Sequence, residues 1–159
     1  MKFSRITTLA AAAMLACTAP VALAQSSQPV ELIGGVKVDK LIIENGKEKH
    51  VFSDPKVVVP GDQLVFSTTY RNTSKQPVSD FVVTNPLPAS VMLSPAGADA
   101  HTVSVDGGKT WGNLAGLTVG DGQGGKRPAT ANDVTHLRWV LPVIAPGASG
   151  KLTYHAIVR

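Results

Sequence analysis

The stretch KVVVPGDQLVFSTTYRNTSKQPVSDFVVTNPLP, residues 56–88, decides the fold of this chain. It contains two runs in which apolar and polar residues alternate, 64–70 and 78–84, and both runs are rich in β-branched and aromatic side chains. Such runs are typical of β-strands. Because turn residues bound each run, the stretch predicts two consecutive strands of an all-β domain.

Prolines and glycines fix where these two strands begin and end. Pro60-Gly61-Asp62 opens the first strand, since proline fixes φ, glycine accepts a positive φ and the aspartate carboxylate can accept a local backbone hydrogen bond. Pro86 and Pro88 end the second strand, because proline cannot donate to a ladder. Leu87 lies between them and is predicted to be an apolar plug at one end of a sandwich.

The rest of the chain continues the pattern of short strands. Asn45-Gly46 is a strong signal for a two-residue hairpin, because both residues accept the positive φ of a type I′ turn. Alternating Lys47, Glu48 and Lys49 predict that the returning strand is a solvated, protected edge. Trp139 is predicted to be the central aromatic of the core. Further strands are predicted at 36–43, 47–52, 89–94, 101–105, 117–119, 132–140 and 151–158.

These elements predict an immunoglobulin-like antiparallel β-sandwich of about seven to nine strands in a single domain, residues 36–159. The motif Pro60-Gly61-Asp62, Tyr70-x-Asn72 and Leu87-Pro88-Ala89 resembles the DUF11 conserved-repeat family, an immunoglobulin-like module of bacterial envelope and surface proteins. A closing half that contains Trp139 and Pro146-Gly147 is similar too. The resemblance covers roughly residues 36–158, and it implies a structural or interaction module without catalytic residues. Such modules often occur in tandem, whereas this chain holds one copy.

Residues 1–24 have the pattern of a secretory signal peptide. Lys2 and Arg5 form a basic start, an apolar run follows, and Ala22-Leu23-Ala24 is a small-residue cleavage site. The pattern predicts export to the periplasm or the exterior, with residues 25–35 as a flexible leader. Cys17 is the chain's one cysteine. The alternative interpretation is a lipoprotein box, 14–17, in which Cys17 carries a lipid anchor.

Charge argues against a nucleic-acid partner. The full chain has a formal net charge of +4 with 15 basic and 11 acidic residues, and Lys2 and Arg5 belong to the predicted signal peptide. The remaining charge is nearly balanced and is not clustered, whereas nucleic-acid binding needs a basic surface. No integral membrane segment is predicted for the exported chain.

Residues 104–111, SVDGGKTW, match the Asp-box pattern Ser-x-Asp-x-Gly-x-Thr-Trp of sialidases. In that motif the aspartate, here Asp106, binds turn backbone, the glycine, here Gly108, supplies a special φ, and the tryptophan, here Trp111, packs beneath the turn. A glycosidase propeller would need several copies and a longer chain. One copy therefore predicts a structural hairpin turn. Gly108-Lys109-Thr110 also lacks the upstream glycine of a phosphate-binding loop, because Val103 occupies that position.

The glycine-rich segment 112–127 is predicted to be a mobile excursion with a short strand at 117–119. The alternative is a binding loop with Lys126 and Arg127 at its stem. The histidines fall on four different predicted strands without the spacing of a metal site, so no metal or cofactor is predicted. They are His50, His101, His136 and His155.

No catalytic motif is present in the sequence, and the prediction is a non-enzymatic envelope module that presents loops or an edge strand to another protein or a glycan. Two alternatives stay open. A carbohydrate-binding or carbohydrate-processing accessory protein would expose a platform built from Tyr70, Trp111, Trp139 and Tyr154. A fibre or assembly subunit joined by strand addition would have an open edge near its termini. The positions predicted to define the fold are Pro60, Gly61, Asp62, Tyr70, Asn72, Leu87, Pro88, Asp106, Gly108, Trp111, Trp139, Pro146 and Gly147.

Overall fold

A computed structural model describes residues 29–159, and the predicted signal peptide with Cys17 lies outside this range. Within the range, no helix combines the length and the hydrophobicity needed to cross a bilayer. Three single-turn 3₁₀ helices are present, at Ala98–Ala100, Leu114–Gly116 and Ala131–Asp133. The strands are β1 (Val30–Glu44), β2 (Lys47–Ser53), β3 (Gln63–Asn72), β4 (Val78–Pro86), β5 (Val91–Leu93), β6 (Thr102–Ser104), β7 (Thr118–Gly120), β8 (Lys126–Pro128), β9 (His136–Ile144) and β10 (Ser149–Val158).

Two antiparallel sheets form the layers of a β-sandwich. The larger sheet has the strand order β2-β1-β3-β10-β5, and the smaller sheet has the order β4-β9-β6. Strand β3 is central in the larger sheet, where Leu64 lies opposite Val38 of β1 and Ala156 of β10. The predicted all-β antiparallel sandwich is confirmed.

The core lies between the inner faces of the two sheets. Because opposite residues of paired strands point to the same face, Leu64, Val38 and Ala156 are directed inward together. They belong to one buried cluster with Val103 and Leu137 of the smaller sheet. Leu87, the predicted plug, is a buried member of this cluster.

The central aromatic side chain of the core is Tyr154, which is 2% exposed. The Phe66 ring stacks on it with 4.9 Å between ring centroids, and burial raises the pKa of the phenol to about 12. Trp139 is only partly buried, at 6.2 Å from Tyr154 between centroids, and it reaches His101 on its other side. The prediction of Trp139 as the central aromatic is therefore wrong. A side chain as large as tryptophan is seldom fully enclosed.

The first strand begins inside the segment predicted to be a flexible leader. Residues from Val30 to Gly35 pair in register with β3, from Val30 opposite Asn72 to Gly35 opposite Ser67. The leader prediction is therefore wrong for residues 30–35, whereas residues 25–28 lie outside the described range. Gly34-Gly35 has the composition of a linker, but ladder hydrogen bonds come from the backbone and need no side chain.

The glycine-rich segment contains the predicted short strand, together with a 3₁₀ turn and a second strand. Strand β7 starts one residue later than predicted, and it pairs with β8, a tenth strand that was not predicted. The carboxylate of Asp121 closes the connection by accepting hydrogen bonds from the N–H groups of Gln123 at 2.8 Å and Gly125 at 2.9 Å. Leu114 anchors the segment in the core cluster.

Strand β9 begins at His136, four residues later than predicted, because residues 131–133 form a 3₁₀ turn. Strand β9 then continues through Pro142. This proline lies opposite Asp80, which stands on β4 between two residues that pair with β9. Asp80 has a φ of 51°, which interrupts the alternation of faces. As a result, the buried residues of β9 change parity from Leu137 to Ile144.

Candidate functional site

The Pro60-Gly61-Asp62 turn joins the start of β3 to the end of β10. Asp62 Oδ2 accepts a hydrogen bond from the Val59 N–H at 2.9 Å, which is the local contact predicted for this residue. Gly61 has a φ of 93° and donates its N–H to the Val158 carbonyl at 2.9 Å. The Val158 N–H returns a bond to the Asp62 carbonyl at 3.0 Å. The turn therefore has a structural role, because it holds the start of β3 against the end of β10.

Asn72, at the end of β3, is a fully buried side chain (0% exposed) with every polar group paired. Its Nδ2 donates to the carbonyls of Gln76 at 2.8 Å and Ile144 at 2.9 Å. Its Oδ1 accepts from the Ser74 N–H at 2.9 Å and the Ser74 hydroxyl at 2.7 Å. One amide thus links the larger sheet, the β3–β4 connection and the end of β9.

The Pro146-Gly147 turn lies against the same asparagine. The Gly147 N–H donates to the Asn72 carbonyl at 3.0 Å, and its φ of 72° after a proline is typical of a type II turn. Nearby, Tyr70 faces its cross-strand partner Gly150, and a Cβ on Gly150 would overlap the phenol ring. Four predicted residues therefore meet at this end of the sandwich: Tyr70, Asn72, Pro146 and Gly147.

The Asp-box segment forms a turn that follows β6 and is closed by the isolated bridge between Val103 and Gly112. Asp106 Oδ1 accepts from the N–H groups of Lys109 at 3.1 Å and Thr110 at 2.9 Å, and Oδ2 accepts from the Thr110 hydroxyl at 2.6 Å. The Thr110 hydroxyl is the main reason that the pKa of Asp106 lies well below its usual range. Gly108 has a φ of 88°. The carboxylate is engaged in holding the turn.

Trp111 completes the Asp-box turn and carries a cationic neighbour. Its indole Nε1 donates to the Gly108 carbonyl at 2.9 Å. The guanidinium carbon of Arg138 lies 4.6 Å from the centroid of the indole, which is cation–π geometry, and His136 approaches the ring edge. Both the indole N–H and the aromatic ring of Trp111 are therefore engaged in contacts within the domain.

The aromatic residues considered for a glycan platform do not share one exposed surface. Tyr154 is buried in the core, and Trp139 packs against it from inside. Trp111 lies on the Asp-box turn under Arg138, and Tyr70 lies over Gly150. The carbohydrate alternative therefore has no platform formed by these four side chains.

The histidines have separate neighbours. His50 contacts Asp39, His101 packs on Trp139, and His136 packs on Trp111. Burial lowers the pKa of His101, and the charge of His155 lowers it further. Among residues 29–159, no group of three or more histidine, cysteine or acidic side chains is arranged to hold a metal ion.

The β1–β2 hairpin extends beyond the sandwich as a two-stranded ribbon. The ladder between β1 and β3 ends at Asp39, whereas β1 and β2 stay paired up to Glu44 and Lys47. The turn has the predicted positive φ at both central residues, 54° at Asn45 and 73° at Gly46. The ribbon exposes five large apolar side chains, here named the apolar hairpin surface: Leu41, Ile42, Ile43, Val51 and Phe52.

Exposure of the apolar hairpin surface is high, at 77% for Ile43 and 56% for Phe52. Val57, Val58 and Val59, which follow the hairpin in sequence, are exposed as well. Strand alternation places Leu41, Ile43 and Phe52 on one face of the ribbon. Clustered apolar side chains at a protein surface mark interaction sites more often than scattered ones do. This ribbon is therefore the candidate functional site.

A buried carboxylate stabilises the base of the ribbon. Asp39 is buried, and its two carboxylate oxygens lie 2.8 and 3.0 Å from His50 Nδ1. The His50 ring stacks in turn on Phe52, with 6.3 Å between the ring centroids. The contact joins β1 to β2 at the base of the ribbon.

Sequence reasoning located the hairpin but assigned it a solvated, protective role. The run Leu41-Ile42-Ile43 was a signal that could have been used, because three consecutive apolar residues must place apolar side chains on both faces of a two-stranded ribbon. The residues predicted to define the fold do not assemble into one site. They form the Pro60-Gly61-Asp62 turn, the group of residues around Asn72, the Asp-box turn and part of the core.

Comparisons with known protein families, curated proteins and solved structures give no significant match to this chain.

Proposed function

We propose that the protein is an exported, non-enzymatic interaction module of the bacterial cell envelope, and that its partner is another protein. The observation that supports this proposal is the apolar hairpin surface, which extends beyond the sandwich core. Burial of one large apolar side chain stabilises a complex by about 1.5–3 kcal/mol before the costs of association. A ribbon with several such side chains can therefore drive binding.

The envelope location rests on the sequence. The pattern of residues 1–24 favours secretion, and the Pro60-Gly61-Asp62 and Pro146-Gly147 motifs resemble those of DUF11 envelope modules. In this proposal the sandwich is a rigid support, and recognition occurs on the ribbon that it holds.

Photo-crosslinking tests this function. A photo-reactive phenylalanine analogue replaces Leu41, and the protein is irradiated with envelope extract from its own organism. We expect one dominant protein adduct, and we expect Ile43→Lys in the same chain to reduce it at least about tenfold. Val143→Lys is the matched control, because Val143 is an exposed valine on the smaller sheet. An adduct that survives Ile43→Lys, or none at all, would contradict the proposal.

A second candidate function, an assembly subunit joined by strand addition, is favoured by one observation. In the described range, β2 pairs with β1 only from Val38 onward, so residues 30–37 of β1 pair with β3 on one edge only. An unpaired strand edge near a terminus is what strand addition requires.

A further inference from the structure

The free edge of β1 has a sequence that complements itself. The Thr73 N–H donates to the Pro29 carbonyl at 2.9 Å, one position beyond the pair Val30 and Asn72. In an antiparallel ladder every second residue bonds to the same neighbour, so the odd-numbered residues of β1 bond to β3. The even-numbered residues Leu32, Gly34 and Val36 therefore direct their N–H and C=O groups toward the free edge.

Two copies of this edge fit each other in one antiparallel register. Centred on Gly34, that register places Leu32 opposite Val36 of the second copy, and both residues are even-numbered and able to exchange hydrogen bonds. It also places Glu31 opposite Lys37 of the second copy. Both charged residues are exposed on the outer face of the sheet, so each strand pair would contain two opposite-charge contacts.

Apolar exposure on the same segment agrees with this pairing. Leu32 is 46% exposed and Ile33 is 58% exposed, although both belong to a strand of the larger sheet. Nothing lies within 4 Å of a Cβ built on Gly34, so the face of the sheet has room for a side chain at the centre of the register. Lys37 also contacts Asp54 at 2.6 Å, and it would lie between two carboxylates in the pair.

We propose that the protein self-associates as a symmetric dimer in which β1 edges, residues 31–37, pair antiparallel about Gly34 and join two larger sheets. This inference rests on the proposed role in protein–protein contact, and it names a second copy of the chain as the occupant of this edge. The contact is isologous and therefore closes at two copies. A single strand pair buries less surface than a standard interface, so the dimer is weak and concentration-dependent.

Sedimentation equilibrium with charge-swapped variants tests the dimer. We expect self-association of the purified protein, weakened about tenfold by Glu31→Lys or by Lys37→Glu, because each change places like charges opposite each other. The double variant Glu31→Lys/Lys37→Glu restores the opposite-charge pairs between the copies and should recover part of the lost affinity, because it still lacks the contact between Lys37 and Asp54. Gly34→Pro should abolish association while circular dichroism stays unchanged, because the Gly34 N–H points away from β3 and an edge strand tolerates such a proline.

Disulfide crosslinking tests the register. In a Cys17→Ser background, Gly34→Cys places the new thiols opposite each other across the twofold axis, and oxidation should give a covalent dimer. Ile33→Cys is the matched control, because its thiols would face each other only in a register shifted along the strand.

Several results would overturn the dimer. One is a protein that stays monomeric at all concentrations up to about 1 mM. Another is self-association whose affinity is unchanged by Gly34→Pro and by the single charge swaps, or is not recovered by the double swap. A third is preferential crosslinking of Ile33→Cys. A monomer that still gives the hairpin adduct described above would reject self-pairing and leave the proposed interaction function standing.

Discussion

At the scale of single residues, Asn72 shows how one side chain can stabilise a sandwich. Its side-chain amide makes hydrogen bonds to four groups, which lie on two segments: the β3–β4 connection at Ser74 and Gln76, and the end of β9 at Ile144. An unpaired buried polar group costs about 1–3 kcal/mol, so partial loss of this network affects several partners at once.

We therefore expect Asn72→Ala to destabilise the protein by about 2–4 kcal/mol. Asn72→Asp should also be strongly destabilising, since a carboxylate cannot donate to the carbonyls of Gln76 and Ile144. Urea denaturation gives the measurement. Asn132→Ala is the control, because Asn132 is exposed and its side chain makes no hydrogen bond within residues 29–159, and its effect should stay within about 0.5 kcal/mol. Similar stability of the Asn72 and Asn132 variants would show that the network contributes little.

At the scale of elements, the β1–β2 ribbon differs from the sheet that holds it. Strand β3 has paired neighbours on both sides, whereas Lys47–Ser53 pairs with β1 alone and is exposed along its whole length. A ribbon of two strands is only marginally stable by itself. The candidate interaction site thus belongs to the least constrained part of the larger sheet.

Hydrogen exchange should resolve this difference. We expect amides of residues 42–51 to exchange at least about a hundredfold faster than the bonded amides of β3, because local opening of the ribbon does not require the core to open. Mass spectrometry or NMR on the purified protein provides the rates. Equal protection of ribbon and β3 would mean that the ribbon opens only with the whole domain, or that it is covered in solution.

Local chemistry explains which elements the sequence could predict. The turns at Pro60-Gly61-Asp62 and Asn45-Gly46 lie where expected, because proline and positive-φ residues act within a few positions of the chain. The start of β1 was missed, since Gly34-Gly35 carries no side chains to alternate. The exposure of Ile43 was missed too, because apolar composition does not tell a strand covered by a second sheet from one that extends past it.

At the scale of the whole molecule, carboxylates link stability to pH. The pKa of Asp133 lies well below its usual range, mainly because the Arg127 side chain donates hydrogen bonds to its carboxylate at 2.7 Å. Asp106 has its pKa lowered by its bonds to Thr110 and Ser104. A folded-state pKa below the unfolded value stabilises the protein above the unfolded pKa, and this stabilisation is lost as pH falls below about 4.

We expect the free energy of unfolding to decrease as pH falls from 5 toward 2, and we expect the decrease to be shallower in Asp106→Asn and Asp133→Asn. Both variants should be less stable than the wild type at pH 7 and closer to it at pH 2. Urea midpoints across this pH range are the measurement. Asp99→Asn is the control, because it removes a charge from a carboxylate that accepts no hydrogen bond within residues 29–159. Parallel curves for all proteins would assign the acid sensitivity to other groups.

The position of β3 between β1 and β10 has a consequence for biogenesis. Residues 63–72 pair with β1 at the beginning of the described chain and with β10 near its end. Pairings this distant in sequence form slowly. A nascent chain that contains β3 and not yet β10 exposes one unpaired edge of β3. In that chain the Asn72 side chain also lacks the Ile144 carbonyl as its hydrogen-bond acceptor. Until β10 is available for pairing, the exposed edge of β3 makes such a chain prone to aggregation.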